Sequence, residues 1–516
     1  MSTIDQDRAR LLRSRRSFFR TIGGAALGSA AISTTLRDFR LINSALAQGN
    51  GVGGSFTDYK ALVCIFLNGG NDANNLIIPR GAQHANYAAI RGNLFIPESL
   101  LLPISPLNND GNEYGFHPGC PQLANLFQAG KLATLFNVGP LLFPTNRVQY
   151  QKKLVALPPQ LFSHSDQVTH WQTSLPDQPP RSGWGGRVAD YLHPYQTELL
   201  EDPVDRAKVS LCTSIAGANT FEVGNTVQQF HVSTSGAVTL AGAASNSTST
   251  AERGNVIRRI ARLNQENLQA DAFGDVIDNA IIAGAILNDS VAATSSGAPA
   301  NWVWNTPFPS GGLGDQLKMV ARIIAGRKNL KVKRQIFFVS AGGYDTHTAQ
   351  LGDGTQEEAA VTGSHANLLA TLSQAIGAFQ AAIEQIAAYN NPLNPDIGDP
   401  ALANNVVGFT TSDFGRTFPT NGQGSDHGWG SHHLIFGGNG NPTTGAVIGK
   451  KTYGTFPVLT VNGPDDTSTG RWIPTTSVDE YSATMAKWFG VDAAHLPVVF
   501  PNLGRFATPD LGFMRV

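Results

Sequence analysis

The sequence predicts an α/β fold with a doubly wound, mostly parallel central sheet and helices on both faces. Short apolar runs rich in β-branched residues alternate along the chain with segments of helical apolar spacing. Glycine pairs follow the first predicted strand and a middle one, and acidic or histidine residues follow each pair. Because open α/β sheets place their sites at the carboxyl ends of strands, this pattern predicts one composite site at one sheet edge.

The composition is that of one large α/β domain or two fused units. The chain has 516 residues, of which 41% are hydrophobic and 15% charged, so it can bury a large core. A formal net charge of -1 argues against a nucleic-acid binder and gives no attraction to anionic membranes. The three cysteines are far apart and lack CxxC spacing, so neither a zinc ribbon nor a disulfide framework is expected.

Residues 1–47 are expected to be a twin-arginine signal peptide, with residues 48–516 forming the α/β domain. The sequence SRRSFFR at 14–20 precedes a mildly apolar stretch, and Ala-Leu-Ala at 45–47 has the form of a signal-peptidase site. A basic amphipathic helix is the alternative interpretation. The apolar stretch is too short to span a bilayer, and no other stretch comes near that length, so no stable membrane span is expected. The expected partner is the twin-arginine translocase, and the expected location is periplasmic or secreted.

The first predicted strand covers 61–67 and runs into the sequence NGGNDANN. Gly69 and Gly70 permit a tight turn with positive φ, which would aim Asp72 at a ligand above the sheet edge. An Asx-rich surface turn is the alternative interpretation of the same residues.

A second strand is predicted at 133–138, and its loop leads to the sequence FSHSDQVTHW at 162–171. The serine- and aspartate-rich start, followed by helical apolar spacing, predicts a helix N-terminus. Ser163 would lie where free amides and the helix dipole favour an anion. A plain N-cap role for Ser163 is the alternative.

Residues 195–310 are predicted to form an insertion or cap over the sheet. Loop-like stretches surround one segment, 255–286, that has helical apolar spacing. A helix is predicted at 314–326, where regular patterning returns.

The strand predicted at 335–340 ends in the sequence AGGYDTH. Asp345 and His347 are two residues apart in extended or loop backbone, so their side chains are expected on one side. A carboxylate beside an imidazole suits Zn, Mn or Fe better than Ca.

A long helix at about 365–389 leads to the strand predicted at 406–411, whose end carries Asp413 and Arg416. Arg416 would either stabilise an anionic group or form a structural ion pair. A glycine-rich loop follows, before a short strand at 434–436. The potential ligands in this loop and at the start of this strand are Asp426, His427, His432 and His433.

Five motifs, GGNDANN, FSHSDQ, GGYDTH, TSDFGRT and GSDHGWGSHH, resemble those of an exported bacterial family called domain of unknown function fifteen-zero-one. The resemblance covers nearly the whole chain, including the leader. That family is grouped with the alkaline phosphatase and sulfatase superfamily. The resemblance therefore implies an alkaline phosphatase-like fold that holds one or two divalent metal ions, Zn or Mn.

The superfamily resemblance also implies residue roles. A ligand common in the superfamily is replaced by Phe414, and Asp426, His432 or His433 could take its place. Ser163 matches the position of the nucleophile, and Arg416 could stabilise the transferred group. No formylglycine-type sequence surrounds Ser163, so a conventional sulfatase is not expected. The metal ligands expected on these grounds are Asp72, Asp345, His347, Asp413, Asp426 and His427.

The function expected from these residues is that of an exported metal-dependent hydrolase. Its substrate would be a phosphate or related ester, either a small molecule or linked to a polymer. The alternative is a periplasmic or surface-associated binding protein that keeps the fold with a degraded or single-metal site.

Overall fold

The computed structural model describes residues 56–516, apart from gaps at 109, 203, 205–207, 239–251, 253–254, 258, 261–262, 264–267, 294–305 and 391–395. The predicted signal peptide therefore lies outside the described residues. The described strands are β1 (Lys60–Leu67), β2 (Ile77–Arg80), β3 (Leu102–Ile104), β4 (Glu113–Phe116), β5 (Leu132–Gly139), β6 (Cys212–Ser214), β7 (Phe230–His231), β8 (Arg334–Ala341), β9 (Val406–Ser412), β10 (Ser431–Gly437), β11 (Thr452–Tyr453) and β12 (Thr476–Ser477).

The described α-helices are α1 (Ala82–Arg91), α2 (Pro121–Gln128), α3 (Arg147–Lys152), α4 (His164–Thr173), α5 (Trp184–Leu192), α6 (Thr197–Leu200), α7 (Leu268–Ala293), α8 (Gly312–Ala325), α9 (Arg327–Leu330), α10 (Gln356–Thr362), α11 (Ser364–Ala388), α12 (Leu402–Asn405), α13 (Val478–Phe489) and α14 (Leu496–Val499). Short 3₁₀ turns lie at Ala73–Asn75, Gly92–Leu94, Glu98–Leu100, His193–Tyr195 and Leu503–Arg505.

The central sheet is mixed and mostly parallel, with the strand order β11, β5, β10, β9, β1, β8, β6, β7; β12 also pairs with β5. β1 lies inside the sheet and pairs in parallel with β8 and β9. Every residue of β1 after Lys60 is buried, as expected for a parallel strand covered on both faces. Among the described strands of this sheet, only β10 runs antiparallel to its neighbours, β5 and β9. A separate antiparallel sheet has the order β2, β4, β3.

The strands and helices predicted from apolar periodicity are present, with bounds that differ by a few residues. The strands predicted at 61–67, 133–138, 335–340, 406–411 and 434–436 are β1, β5, β8, β9 and β10. The helices predicted at 314–326, at 365–389 and after Ser163 are α8, α11 and α4. The strands and the helices α8 and α11 are rich in apolar residues, which is why their pattern identifies them, whereas α4 is predicted from its serine- and aspartate-rich start.

Helices pack on both faces of the central sheet. Gly408 and Phe409 are neighbours in β9, so they face opposite sides. Phe436, which pairs with Gly408, contacts Phe379 of α11 with ring centroids 6.4 Å apart. Phe409 contacts Tyr481 of α13 on the other side, at 5.9 Å. The expectation of helices on both faces is therefore confirmed.

The region 195–310 differs in part from the predicted insertion or cap. β6 and β7 lie within it, and both belong to the central sheet, where β6 pairs in parallel with β8. They contain three and two residues, which is too short to give a recognisable period in the sequence. Helix α7 supplies the predicted helical segment and packs against α8 and α9.

Helix α11 is the one described helix that is long and apolar enough to cross a bilayer by length and composition. The expectation that no stretch after the leader comes near this length is therefore wrong. Within its most apolar window, 61% of the residues are buried inside the protein, as in the core helix of a folded domain.

The sheet brings five loops to one edge. β1, β8 and β9 are parallel, so their carboxyl ends meet there. β10 runs antiparallel to both β9 and β5, so its amino end and the carboxyl end of β5 lie at the same edge. The loops after β1, β5, β8 and β9 and the loop before β10 can therefore contribute to one site.

Burial of Glu222 should make stability depend on pH. This side chain is 0% exposed, and desolvation raises the pKa of its carboxyl from 4.5 to about 8. Hydrogen bonds from Asn219 and from the Thr213 backbone lower the pKa, but desolvation has the larger effect. The folded protein keeps the carboxyl protonated at neutral pH, whereas the unfolded chain ionises. Stability from this group is therefore lost as pH rises from 4.5 to 8.

Glu222→Gln should remove that loss. The free energy of unfolding of the variant relative to the wild type should rise with pH, by at most about 1.4 kcal/mol per pH unit. Urea unfolding at several pH values between 4.5 and 8 measures the change. The same substitution at the exposed Glu201 is the matched control. A constant difference between Glu222→Gln and wild type across this range would contradict the prediction.

Candidate metal centre

His164, Asp345 and His427 form the centre of the site at the sheet edge. One potential ligand atom of each lies within 4.8 Å of those of the other two. His164 Nε2 is 3.1 Å from His427 Nε2 and 3.4 Å from Asp345 Oδ2. His427 Nε2 is 3.3 Å from Asp345 Oδ1. Two imidazole nitrogens and a carboxylate oxygen are a donor set that transition metals accept.

His347 lies beside this group of three. Its Nε2 is 2.9 Å from His427 Nε2 and 3.2 Å from Asp345 Oδ1. It therefore approaches the Asp345 carboxylate through the oxygen that His164 does not approach. The contact also confirms that the side chains of Asp345 and His347 lie on one side of the chain.

The other ring nitrogen of each histidine has an acceptor. His164 Nδ1 is 2.6 Å from Asp413 Oδ2, and His347 Nδ1 is 3.0 Å from Asp426 Oδ1. His427 Nδ1 is 2.9 Å from the main-chain oxygen of Phe162. Ionised carboxylates and carbonyl groups only accept hydrogen bonds, so these partners assign the proton to Nδ1 in each ring. In that tautomer the lone pair of Nε2 points toward the centre.

Arg416 holds the Asp345 carboxylate. Its side chain is 0% exposed, and its Nη1 donates to Asp345 Oδ1 at 2.6 Å and to the Gly69 carbonyl at 3.2 Å. Its Nη2 donates to the carbonyl of Ser425. Of the two roles considered for Arg416, these contacts support the ion pair, which orients Asp345 at the end of β8.

Electrostatics favour a cation at this site. Burial tends to raise the pKa of Asp345, but Arg416, together with His347 and His164, holds that pKa below its usual range. A hydrogen bond from Asn421 is the main cause that lowers the pKa of Asp426. Desolvation lowers the pKa of His427, which favours its neutral ring. The site thus presents ionised carboxylates and a neutral imidazole at neutral pH.

Phe414 forms an apolar surface under two of the histidines. Its ring centroid is 4.8 Å from that of His164 and 4.6 Å from that of His427. Phe414 occupies the place where the superfamily resemblance implies a ligand. Here the side chain positions two imidazoles by packing instead of supplying a donor atom.

Both glycines after β1 lie so close to neighbouring atoms that a side chain would not fit. Gly69 has φ +115°, and a Cβ there would lie 2.3 Å from the main-chain nitrogen of Asp345. Gly70 has φ +82°, and a Cβ there would lie 2.4 Å from the Phe414 ring. Any larger residue would push the β1 turn away from both neighbours.

Asp72 lies outside this centre, contrary to its prediction as a ligand. Its carboxylate is fully buried and pairs with the equally buried Arg91, while Gln350 Nε2 donates to the same oxygen. Burial alone would raise the pKa of Asp72, but Arg91 and its other partners keep it below the usual range. The turn after β1 directs this side chain into the protein, where a guanidinium already neutralises it.

Ser163 lies one residue before His164, at the N-cap position of α4. Its side chain makes no capping hydrogen bond. Its Oγ instead donates to Asp166 Oδ2 at 2.6 Å and lies 3.1 Å from Ser165 Oγ. The geometry thus differs from the plain N-cap alternative and gives the hydroxyl a carboxylate partner.

Of the three possible replacement ligands, Asp426 reaches the site through His347, whereas His432 and His433 do not. His432 Nδ1 accepts a hydrogen bond from the Asn137 amide at 3.1 Å. His433 packs against Trp171 with ring centroids 4.7 Å apart. Both histidines are buried within β10, which begins earlier than the predicted strand and draws them from the loop into the core.

His164 is the central residue that is absent from the predicted ligands. It lies in the quoted motif FSHSDQ, between two serines that were considered as nucleophile and helix cap. A histidine at the first position of a helix beside a predicted site was the available signal. Only the folded arrangement shows that it meets Asp345 and His427.

A model of a family described as "Protein of unknown function (DUF1501)" matches residues 106–496 of the chain. The match covers well over half of the 516 residues and includes the three histidines and three aspartates of the site. Asp72 precedes the matched range. No curated protein matches the chain.

The buried Asp72–Arg91 pair should be a structural element. Asp72→Asn would leave the Arg91 charge buried without its counter-ion, so the free energy of unfolding should fall by about 3–5 kcal/mol. Chemical denaturation at neutral pH measures this change. The control is Asp510→Asn, because the Lys487–Asp510 pair is 2.8 Å long but each side chain is 32% exposed. Removing that partly exposed pair should cost less than about 1 kcal/mol. Equal losses for the two variants would contradict the structural role of Asp72.

Proposed function

The chain belongs to the DUF1501 family, whose description names no activity, and we propose from the site itself that the protein is an exported metal-dependent hydrolase of phosphate or related esters. The observation that carries this proposal is the arrangement of three histidine Nε2 atoms around the Asp345 carboxylate. With Nδ1 of each ring donating to its own acceptor, these lone pairs and the negative charge repel one another. A bound cation would remove that repulsion.

The residues fit a divalent transition metal. His164, Asp345 and His427 would hold the ion, and His347 stands next to them as a further ligand. His164 Nε2 lies 3.4 Å from Asp345 Oδ2 and His427 Nε2 lies 3.3 Å from Asp345 Oδ1, close to the spacing of about 3.3 Å between ligand atoms of a zinc ion. The imidazole nitrogens favour Zn, whereas the carboxylate is also a suitable ligand for Mn. When bound, the ion would supply Lewis acidity to the ester and to the nucleophile.

The proposed nucleophile is Ser163, with Asp166 as the acceptor of its proton. The Ser163 Oγ–phosphorus bond forms while the bond from phosphorus to the leaving alcohol oxygen breaks, and the hydroxyl proton passes to Asp166. The alcohol leaves with the electron pair of the broken bond and takes a proton from water, and the hydroxide that remains takes the proton from Asp166. A second water molecule then cleaves the phosphoserine ester, which releases phosphate and restores the Ser163 hydroxyl. Arg416 and Asp413 act as positioning residues, because they hold Asp345 and His164.

The finer fold and the location are part of the same proposal. An alkaline phosphatase-like fold is supported by the order in which acidic and histidine residues follow β8 and β9. Asp72 and Phe414 depart from the pattern of that superfamily, as described above. Export through the twin-arginine route is supported by SRRSFFR at 14–20 and Ala-Leu-Ala at 45–47. The expected substrates are small-molecule or polymer-linked esters outside the cytoplasm.

Metal retention tests the centre directly. Purified protein dialysed against zinc or manganese should retain at least one equivalent by inductively coupled plasma mass spectrometry. His164→Ala and His427→Ala should lose it, because each removes a donor atom from the centre. Asp413→Asn should weaken metal binding by about 10–100-fold, since it disturbs the partner that fixes the His164 ring.

Exposed His231 provides the matched control. His231→Ala removes an imidazole away from the centre and should retain the metal as the wild type does. Wild-type protein that retains no metal would contradict the hydrolase proposal and favour a binding protein that keeps the fold. Unchanged metal affinity in both the His164→Ala and His427→Ala variants would show that the ion lies elsewhere.

The serine assignment has its own test. Ser163→Ala should lower kcat on phosphate monoesters by several orders of magnitude and leave metal content unchanged, because the hydroxyl acts in the transition state. Ser165→Ala is the control; its exposed hydroxyl is 3.3 Å from Asp166 and should have a mild effect. Full activity of Ser163→Ala on every ester that the wild type hydrolyses would assign the nucleophile to water.

A further inference from the structure

Arg471 is a partly buried arginine next to His427, one of the proposed ligands. Its Nε donates to the main-chain oxygen of His427 at 2.7 Å. Its guanidinium carbon lies 4.3 Å from the ring centroid of Phe162. The Phe162 carbonyl in turn accepts the hydrogen bond from His427 Nδ1 at 2.9 Å. These three contacts form a closed triangle that fixes a positive charge beside the centre.

The backbone that carries Arg471 is held equally firmly. Its amide donates to Asp466 Oδ1 at 2.9 Å, and its carbonyl accepts from the Thr467 amide at 3.1 Å. Asp466 is 0% exposed and also accepts from the Gly470 amide at 2.8 Å. The next residue, Trp472, is buried, and its Nε1 donates to Asn74 Oδ1 at 3.0 Å. The side chain therefore starts from a fixed position, which reduces the entropy lost when it binds a ligand.

Arg471 differs from the fully buried arginines in how its charge is balanced. Arg91 pairs with Asp72, and Arg416 pairs with Asp345. Among the residues that the structure describes, no carboxylate lies within 4.0 Å of the Arg471 guanidinium, and its two Nη groups have no hydrogen-bond partner. Taking a cation partly out of water without a counter-ion costs free energy, which an anionic ligand would recover.

We propose that Arg471 forms an anion-binding subsite at the metal centre and receives the charged oxygens of the substrate. The two free Nη groups form a fork that matches two oxygens of a phosphoryl group. The inference rests on the proposed function and makes it more specific. The subsite would favour esters that carry negative charge on the transferred group, such as phosphate monoesters, over neutral esters. The product, inorganic phosphate, should bind at the same subsite.

Calorimetric titration with inorganic phosphate tests this subsite without relying on turnover. The titration is done on metal-free and zinc-loaded protein. Arg471→Met should weaken phosphate binding by about ten- to a hundredfold, because it removes charge-assisted hydrogen bonds. Arg471→Lys should keep part of the affinity, since the charge remains but the fork is lost. Zinc content measured on the same samples should not change.

The matched control is Arg505→Met. Arg505 also lies over a phenylalanine ring, that of Phe143 at 4.9 Å, but it pairs with Asp177 at 3.0 Å. This variant should bind phosphate as the wild type does. Acetate provides a second comparison, and binding as tight as that of phosphate would overturn the assignment to a phosphoryl group.

Three further results would overturn the inference, and one would separate it from the proposed function. Equal phosphate affinity in the wild type and Arg471→Met overturns the inference. A wild type that binds no phosphate, whether metal-free or zinc-loaded, also overturns it. Loss of zinc together with phosphate in Arg471→Met would make Arg471 a positioning residue for His427 instead. Phosphate binding that depends on Arg471 in a protein that binds no metal would support the subsite while the hydrolase proposal fails.

Discussion

The ion pair between the fully buried Arg416 and the partly exposed Asp345 is the interaction on which the geometry of the site depends. Arg416 follows β9, Asp345 follows β8, and the Arg416 guanidinium also binds the carbonyl of Gly69 after β1. One fully buried cation thus joins the loops of three adjacent parallel strands. A buried charge is stable only when it is paired and hydrogen-bonded, so these loops cannot move apart without a large cost. Asp345 is thereby placed where His164, His347 and His427 can meet it.

Two further features extend this constraint. A buried polar network continues from Arg416 through the carbonyl of Ser425, whose Oγ donates to Gln350 at 2.7 Å. Gln350 donates in turn to Asp72. Asp72, which was expected to be a ligand, is thus connected to Arg416 through Gln350 and Ser425. Phe414 performs the apolar part of the same task, because its ring packs against His164 and His427. The imidazoles are thus held by packing on one side and by hydrogen bonds at Nδ1.

Local patterns determined much of the architecture and part of the candidate site. The apolar runs of β1, β8 and β9 are buried on both faces, and such runs are visible in any sequence. Polar residues directly after them indicate the functional edge of the sheet, because parallel strands end there together. These stretches point to Asp345, His347 and His427; Asp345 and His427 form the centre with His164, and His347 lies beside it. The short strands β6 and β7 were missed, since two or three residues have no measurable period.

The sequence by itself determined the order of the main strands and helices along the chain and the residue types available at the strand ends. Only the tertiary structure decided the partner of each side chain. Asp72 and Asp413 each lie in a loop that follows a central strand, yet one is neutralised by Arg91 and the other orients His164. Arg471 acquires its place beside His427 from a loop distant in sequence. The physical reason is that the role of a charged group depends on burial and on its nearest counter-charge, which are set by contacts between distant segments.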